Sequence, residues 1–304
     1  MKPAPFRYHA PRTLDEALGL LAGLPNARVL AGGQSLMPML NMRLAAPDDL
    51  IDLNEIEGLA YIREEDDRIA IGAMTRQREL EFSPLIARRL PLMAEAIRQV
   101  GHRQTRNRGT LGGSLCQLDP SAELPTVAQA CDALLIARSR RGERRIRIAD
   151  FPAGFMTSSL EPDEVLVEVR FTPWSGRHGT AFVEYARRHG DFAVVSAAAM
   201  LALDGEGRIA RLSLTLGGVA AAPLRLAAIE QSLLGARPSA ETFAAACAAA
   251  GSIDALDDPL YPKWYRQRLA VALSKRALGA ALERAGAAPE PDASASPAQG
   301  SGAR

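Results

Sequence analysis

Two glycine-rich segments govern the interpretation of this 304-residue sequence: AGGQSL at residues 31–36 and GTLGGS at residues 109–114. Paired glycines let a backbone approach a ligand closely, because no Cβ intervenes and positive φ angles are accessible. Consecutive N–H groups in such turns form a concavity that binds phosphate oxygens, and nearby hydroxyl groups add donors. A single turn of this kind is usually structural. Two turns that each carry a hydroxyl group favour one long phosphate-containing ligand, although a structural role for both stays open.

The common nucleotide-binding motifs are absent from the sequence. It contains no G-x-x-x-x-G-K-[ST], which excludes a P-loop, and no G-x-G-x-x-G opening a helix, which excludes a Rossmann fingerprint. The length suffices for two ordinary domains or one large one. The net charge of +1, from 36 basic and 35 acidic residues, gives no sign of a nucleic-acid or membrane-surface partner.

The sequence also lacks the patterns of a metal or disulfide site. The three cysteines, Cys116, Cys131 and Cys247, are widely spaced, and the four histidines are scattered. So few and so widely spaced cysteines fit a reducing compartment and predict no iron–sulfur cluster or zinc site in the chain. No apolar leader follows Met1, and no segment reaches the roughly 18 apolar residues of a spanning helix. We therefore expect a cytoplasmic protein without an integral membrane segment.

Local patterns divide the chain into a domain at residues 1–175, a second domain at residues 178–284 and a tail at residues 285–304. In the first domain, Thr13-Leu14-Asp15-Glu16 is a capping box that opens a helix. A further helix is predicted over residues 84–100. The tail is rich in Ala, Pro, Ser and Gly, which predicts disorder because such a segment buries too little apolar surface to fold.

The second domain is predicted to begin with strands and to end with helices. The strands are predicted at residues 181–187, 192–203 and 208–216. The helices are predicted at residues 223–234, 240–250 and 263–284. Strands followed by helices indicate an α+β unit.

The two glycine-rich segments, extended by their neighbours, resemble the flavin loops of the FAD-binding medium subunits of molybdenum hydroxylases. The matching segments are AGGQSLMPML at residues 31–40 and RNRGTLGGSLCQLDPSAELP at residues 106–125. The family includes the carbon monoxide dehydrogenase medium chain and the FAD-binding subunit of xanthine dehydrogenase. Weaker similarities follow in the expected order: YARRHGDFAVVS at residues 185–196, LGGV at 216–219 and YRQRL at 265–269. The resemblance covers residues 3–283, almost the whole chain outside the tail.

The resemblance implies an α+β fold and a set of cofactor-binding residues. The first domain would be an FAD-binding domain of two α+β subdomains split near residue 55, followed by a C-terminal three-stranded sheet with a helix bundle. Backbone amides of the first loop would wrap the FAD pyrophosphate, through Leu30, Ala31, Gly32, Gly33, Gln34, Ser35, Leu36 and Met37. The second loop would do the same through Thr110, Leu111, Gly112, Gly113 and Ser114. Ser114 stands where many members carry asparagine, which shortens its reach.

The resemblance also singles out six positions outside the two loops. Val100 and Gly101 fall where relatives approach the flavin or the adenine. Glu123 falls where relatives place an acidic side chain near the ribose or ribityl hydroxyls, and Asp119 could share that role. The alternative for Glu123 is a structural role as a negative charge at the N-terminus of a helix. Leu166 would contact the adenine, and Val183 replaces a flavin-neighbouring lysine of the xanthine-oxidising relatives. No catalytic residue and no metal ligand is predicted.

The resemblance also implies a function and partners. Non-covalently bound FAD would take electrons from the 2Fe-2S clusters of a small subunit and pass them to an external acceptor. A large molybdopterin subunit would oxidise the substrate, in an assembly expected to be a dimer of heterotrimers. One alternative is a free-standing FAD-dependent oxidase, a class that often tethers flavin through His or Cys. The first loop has neither residue, and His102 is the candidate tether near the second. A flavin-free binding or scaffold protein is the third possibility.

Overall fold

The computed structural model describes residues 1–286, and its N-terminal part is a small parallel sheet with two helices. The elements are β1 (Arg7–His9), α1 (Leu14–Gly23), β2 (Ala27–Leu30), α2 (Leu36–Asn41) and β3 (Asp49–Asp52). The strand order is β1-β3-β2. The capping box is confirmed: the Glu16 N–H donates to the Thr13 hydroxyl oxygen, and the Thr13 N–H donates to the Glu16 carboxylate.

The middle part is a five-stranded antiparallel sheet covered by six short helices. Its elements are β4 (Ile62–Glu65), β5 (Arg68–Gly72), α3 (Gln77–Phe82), α4 (Pro84–Arg89), α5 (Pro91–Ala96), α6 (Arg103–Arg108), α7 (Leu111–Gln117), α8 (Glu123–Ala130), β6 (Leu134–Ser139), β7 (Gly142–Arg147), β8 (Pro152–Gly154), β9 (Thr157–Ser158) and β10 (Val165–Phe171). The strand order is β4-β5-β10-β6-β7, and β8 and β9 pair separately. Strands distant in sequence thus meet at β10, in the middle of the sheet.

The single helix predicted over residues 84–100 is wrong, because the chain forms two helices there. Leu90 ends α4 with a non-helical backbone, and α5 begins at Pro91. A proline has no N–H to continue the helical hydrogen bonds, and it disfavours a helical conformation at the preceding residue. Pro91 therefore ends the first helix and opens the second.

The C-terminal part is an antiparallel sheet followed by helices, and with it the predicted α+β fold class is confirmed. The elements are β11 (Gly179–Tyr185), β12 (Val195–Leu203), β13 (Ile209–Gly217), β14 (Leu224–Arg225), α9 (Ala227–Leu233), α10 (Ala240–Cys247) and α11 (Lys263–Gly286). The three predicted strands form, and β14 adds a two-residue strand at the β13 edge, in residues predicted to begin a helix. Pairing of β14 with β13 delays that helix to Ala227.

The C-terminal sheet has two buried faces. Phe182, Ala198 and Met200 pack into the core of the middle part, which includes residues of α5 and α8. The residues next to them in sequence, such as Ala181 and Ala199, pack on the opposite side with the residues of α11. Successive side chains of a strand point to opposite faces, so neighbouring residues of β11 lie in different cores.

The last helix reaches further than the sequence predicted. Ala285 and Gly286, assigned to the disordered tail, are its final residues. The rest of the predicted tail lies outside the described residues. Within residues 1–286, no helix combines the length and apolar character needed to cross a membrane.

Candidate functional site

The two glycine-rich loops lie against each other. A Cβ added to Gly32 would overlap the carbonyl oxygen of Arg108, and one added to Gly113 would lie 3.5 Å from the Cβ of Ala31. Glycine at position 32 is therefore needed for the contact between the loops. The structure thus brings residues about 80 positions apart in sequence into one site.

The first loop carries a run of unused backbone donors. Within residues 1–286, the N–H groups of five consecutive residues have no hydrogen-bond partner: Gly32, Gly33, Gln34, Ser35 and Leu36. Gly33 has φ +74°, a conformation that favours glycine. The next amide, that of Met37, donates to the Gly33 carbonyl oxygen and begins the bonding pattern of α2. The five free donors are the arrangement expected of a phosphate-binding turn.

The second loop is built differently: its amides already have partners within the chain, and the predicted contact of residues 110–114 with FAD stays a prediction. Leu111 N–H donates to the Thr75 carbonyl at 3.1 Å, and Gly112 N–H donates to the Ala73 carbonyl at 2.8 Å. The amides of Gly113 and Ser114 donate to the hydroxyl and carbonyl oxygens of Thr110. These residues form the first turn of α7, capped by Thr110, so their donors are already satisfied.

The glycines of the second loop serve packing. A Cβ on Gly112 would lie 2.6 Å from the Ala73 Cβ, and one on Gly113 would lie 2.7 Å from the Thr110 hydroxyl oxygen. Neither residue has a positive φ. Their absent side chains let α7 begin directly on the end of β5, and this holds the second loop in place under the first.

Two hydroxyl groups remain available beside the free amides. Within the described residues, the side chains of Ser35 and Ser114 make no hydrogen bond, and Ser35 is exposed. Thr110 differs, because its hydroxyl oxygen accepts the Gly113 N–H as a helix cap. Each serine can therefore donate to an anion held at the first loop.

Arg76, which the sequence did not single out, connects the two loops. Its guanidinium donates to the Arg108 carbonyl at 2.6 Å and to the Asn54 side-chain oxygen at 2.6 Å. Asn54 in turn donates to the Ala31 carbonyl at 2.9 Å. Burial lowers the pKa of Arg76 from its ordinary high value. A lone arginine between a strand and a helix has no sequence signal, because its partners are far away along the chain.

Val100 and Gly101 lie in the turn that enters α6. Both carbonyl oxygens accept from the Arg106 guanidinium, at 2.9 Å and 3.3 Å, and Arg106 is paired with Glu81 at 2.9 Å. Gly101 has φ +47°. The turn is thereby fixed to α6, whose last residues run into the second loop.

Asp119 and Glu123 lie beyond the other end of α7. Glu123 is the first residue of α8 and is 3% exposed. Burial raises the pKa of Glu123 to about 8, and burial also raises the pKa of Asp119. A buried carboxyl group of this kind favours the neutral form at neutral pH and can then donate as well as accept.

Leu166 and Val183 are not brought to the loops by the structure. Leu166 is 4% exposed and lies inside the core of the middle part. Val183 packs with the core on the α11 side of the C-terminal sheet. The predicted proximity of Val183 to the flavin stays a prediction; its neighbour Glu184 lies on the opposite face of β11. In residues 1–286 no group of His, Cys, Asp and Glu could hold a metal ion.

Comparison with known proteins covers almost the whole chain. Residues 4–174 match the family described as FAD binding domain in molybdopterin dehydrogenase, and residues 180–281 match the CO dehydrogenase flavoprotein C-terminal domain. The 6-hydroxypseudooxynicotine dehydrogenase complex subunit alpha of Paenarthrobacter nicotinovorans is 40% identical, over 94% of this chain and 97% of the relative. The carbon monoxide dehydrogenase medium chain of Hydrogenophaga pseudoflava is 36% identical, over 93% and 99%.

A solved structure agrees with these matches. A chain of carbon monoxide dehydrogenase from Hydrogenophaga pseudoflava, in a form lacking the Mo-pyranopterin moiety, superposes with a TM-score of 0.91. The two chains are 38% identical, and the match covers 93% of this chain and 99% of the other. The chain therefore belongs to the FAD-binding medium subunits of the molybdenum hydroxylases, a family of oxidoreductase subunits whose cofactor is FAD.

Proposed function

We propose that this chain is an electron relay: its FAD accepts electrons from the 2Fe-2S clusters of a small partner subunit and passes them to an external acceptor. The observation that carries the proposal is the run of five unpaired amides from Gly32 to Leu36, next to a second loop whose own donors are satisfied. Such a run suits the diphosphate of an extended dinucleotide.

The residues present fit FAD. The first loop would hold the pyrophosphate through its free amides and the Ser35 hydroxyl, with Ser114 reaching the same oxygens from the second loop. Arg76 supplies a positive charge between the two loops and holds the Arg108 carbonyl. FAD itself supplies the acceptance and release of electrons. The protein binds it, orients it and keeps the two loops together.

The proposed attachment of FAD is non-covalent. The first loop contains no histidine or cysteine, and Cys116 on α7 is a free thiol whose pKa burial raises to about 12. A thiol of that kind is a poor nucleophile, because the thiolate is the reactive form. The ring of His102 packs against Gly190 of the C-terminal part. His102 itself is exposed, and the acid treatment described below tests whether it carries the flavin.

The proposed partners follow from the family. A large molybdopterin subunit would oxidise the substrate and a small iron–sulfur subunit would carry the electrons, in a cytoplasmic dimer of heterotrimers. Relatives named as a subunit of a complex and as a medium chain support an assembly of several subunits. In this proposal the FAD-binding domain spans residues 1–175, which contain β1 to β10, and the C-terminal domain spans residues 178–284, which contain β11 to β14.

Anaerobic flavin bleaching tests the relay against the free-standing oxidase. The FAD-loaded chain alone, mixed with a substrate of the complete complex, should keep its flavin absorbance. Adding the two partner subunits should bleach it at the rate of turnover. Full-rate bleaching by the isolated chain would establish an oxidase instead. FAD retained in the precipitate after acid treatment would contradict non-covalent binding.

A further inference from the structure

A series of hydrogen bonds runs from the edge strand β1 to the first glycine-rich loop. Its centre is Asp52, the last residue of β3, which is buried. One carboxylate oxygen of Asp52 accepts the Tyr8 hydroxyl group at 2.6 Å. The other oxygen accepts the backbone N–H of Asn54, at 2.9 Å, and also its side-chain N–H. The carboxylate is therefore held from both sides.

Asn54 uses every polar atom of its side chain. One amide N–H donates to Asp52, and the other donates to the Ala31 carbonyl oxygen at 2.9 Å. Its amide oxygen accepts from the Arg76 guanidinium at 2.6 Å. A side-chain amide has donors only on nitrogen, so its nitrogen and not its oxygen must face the Asp52 carboxylate. Asp52 thus fixes the orientation in which Asn54 reaches the loop.

The contact with Ala31 determines the direction of the next amide. The Ala31 carbonyl and the Gly32 N–H belong to one trans peptide group, which is planar, so the two point in opposite directions. With its carbonyl bound to Asn54, this group turns the Gly32 N–H away from β3. That N–H is the first of the five unpaired donors of the loop. The carbonyl before it, that of Leu30, accepts the Leu53 N–H at 3.0 Å. Two consecutive peptide groups at the start of the loop are therefore fixed by β3 and the residues that follow it.

We propose that Asp52 and Asn54 are positioning residues for the FAD diphosphate. Neither side chain binds the cofactor. Asn54 orients the peptide group between Ala31 and Gly32, and Asp52 holds Asn54 in the orientation that does so, with Tyr8 bound to its second oxygen. The inference rests on the proposed function, because it takes the free amides of the first loop to bind FAD.

Asp49 provides a comparison within the same strand. It is the first residue of β3 and is also buried, and its carboxylate also binds β1, through Arg7 at 2.6 Å and His9 at 2.7 Å. The first loop leaves β2 at Leu30, which is paired with Asp52. Asp49 lies three residues earlier, about 10 Å away along the strand. It therefore stabilises the sheet at the end that is remote from the loop.

FAD titration of the whole chain, combined with phosphorus NMR of the bound diphosphate, tests the inference. Asp52→Ala should lower FAD affinity about tenfold, as expected for one lost hydrogen bond to a charged group, and should move a bound phosphorus resonance towards that of free FAD. Asp49→Ala is the matched control. It should lower the melting temperature and leave the FAD affinity and the phosphorus resonances as in wild type. Asp52→Asn keeps an acceptor for Asn54 and should bind FAD as wild type does.

Asn54→Ala removes the contact with Ala31 directly, and it serves where Asp52→Ala does not fold. It should lower FAD affinity by the same factor of about ten. The double variant should bind FAD no more weakly than either single variant, because Asp52 acts only through Asn54. Losses of affinity that multiply in the double variant would overturn the inference.

The outcomes separate this inference from the proposed function. Wild-type FAD affinity in Asp52→Ala, or equal losses of affinity in Asp52→Ala and Asp49→Ala, would make both carboxylates structural and leave the first loop as the FAD site. Absence of FAD binding by the wild-type chain would overturn the inference and the proposed function together.

Discussion

The two glycine-rich loops look alike in sequence and differ in what their backbones do. In the first loop, five successive amides from Gly32 to Leu36 have no partner within the described residues. In the second, the amides of Leu111 to Ser114 are bonded to Ala73 and Thr75, in the turn after β5, and to the cap residue Thr110. We therefore propose that the first loop is the binding surface and that the second is the support that fixes its position.

The difference shows that a Gly-Gly pair has more than one physical cause. Gly33 is required by its backbone angle, φ +74°, in a turn that leaves donors free. Gly112 is required by space, since a Cβ there would lie 2.6 Å from that of Ala73. Substitutions at these two positions should consequently fail in different ways, and the predictions below begin with the largest effect.

Gly33→Val should weaken FAD binding by at least about a hundredfold, because displacing the turn removes two or more hydrogen bonds to a charged group at about 1.5–3 kcal/mol each. The chain should remain folded. Gly58→Val is the control, at φ +80° and with nothing within 4 Å of the added Cβ. It should share the backbone strain and keep FAD affinity. Isothermal titration of both variants with FAD measures the two affinities. Equal losses of affinity would mean that the first loop is not the binding surface.

Gly112→Ala should act on folding instead. The added Cβ meets Ala73 in the core, and overpacking of this kind costs about 1–3 kcal/mol of unfolding free energy. Gly19→Ala, in the middle of α1 with open space around its Cβ, should leave stability unchanged or raise it by about 0.5–1 kcal/mol. Urea unfolding of both apo-proteins is the measurement. An unchanged midpoint for Gly112→Ala would show that the second loop is not a packed support.

Arg76→Ala should have the smallest effect of the three, about a tenfold loss of FAD affinity, the equivalent of about 1.4 kcal/mol. The substitution removes the hydrogen bonds from Arg76 to Asn54 and to the Arg108 carbonyl. It also removes a positive charge near the proposed pyrophosphate site. Arg76→Lys keeps the positive charge but cannot make the two guanidinium hydrogen bonds. Its FAD affinity should therefore lie between those of wild type and Arg76→Ala. If Arg76→Lys binds FAD no better than Arg76→Ala, the charge contributes nothing.

Local signals in the sequence were sufficient for most of the fold. The Thr13 capping box depends on residues three apart, and the strands β11 to β13 depend on apolar runs and turns, so each was predictable without tertiary information. The helix predicted over residues 84–100 failed because its apolar spacing was given more weight than Pro91. The short β14 forms only because it pairs with β13, which no local pattern indicates.

The site was less predictable, because it depends on long-range contacts and on which way a strand faces. Arg76 is notable only for partners 22 and 32 residues away. Both faces of β11 are buried, so the sequence did not show which of its side chains, such as Phe182 or Val183, would face the middle part. The amides of the second loop are bonded because α7 packs on the turn after β5, which a glycine pattern does not reveal.

Amide hydrogen exchange, measured by mass spectrometry with and without FAD, tests the difference between the loops most directly. Peptides covering residues 31–37 should exchange fast in the apo-protein and slow strongly when FAD is added, because their free donors become bonded. Peptides covering residues 110–115 should exchange slowly in both states, because their donors are already satisfied. Equal protection of both loops by FAD, or slow exchange of the first loop in the apo-protein, would contradict the assignment of one loop to binding and the other to support.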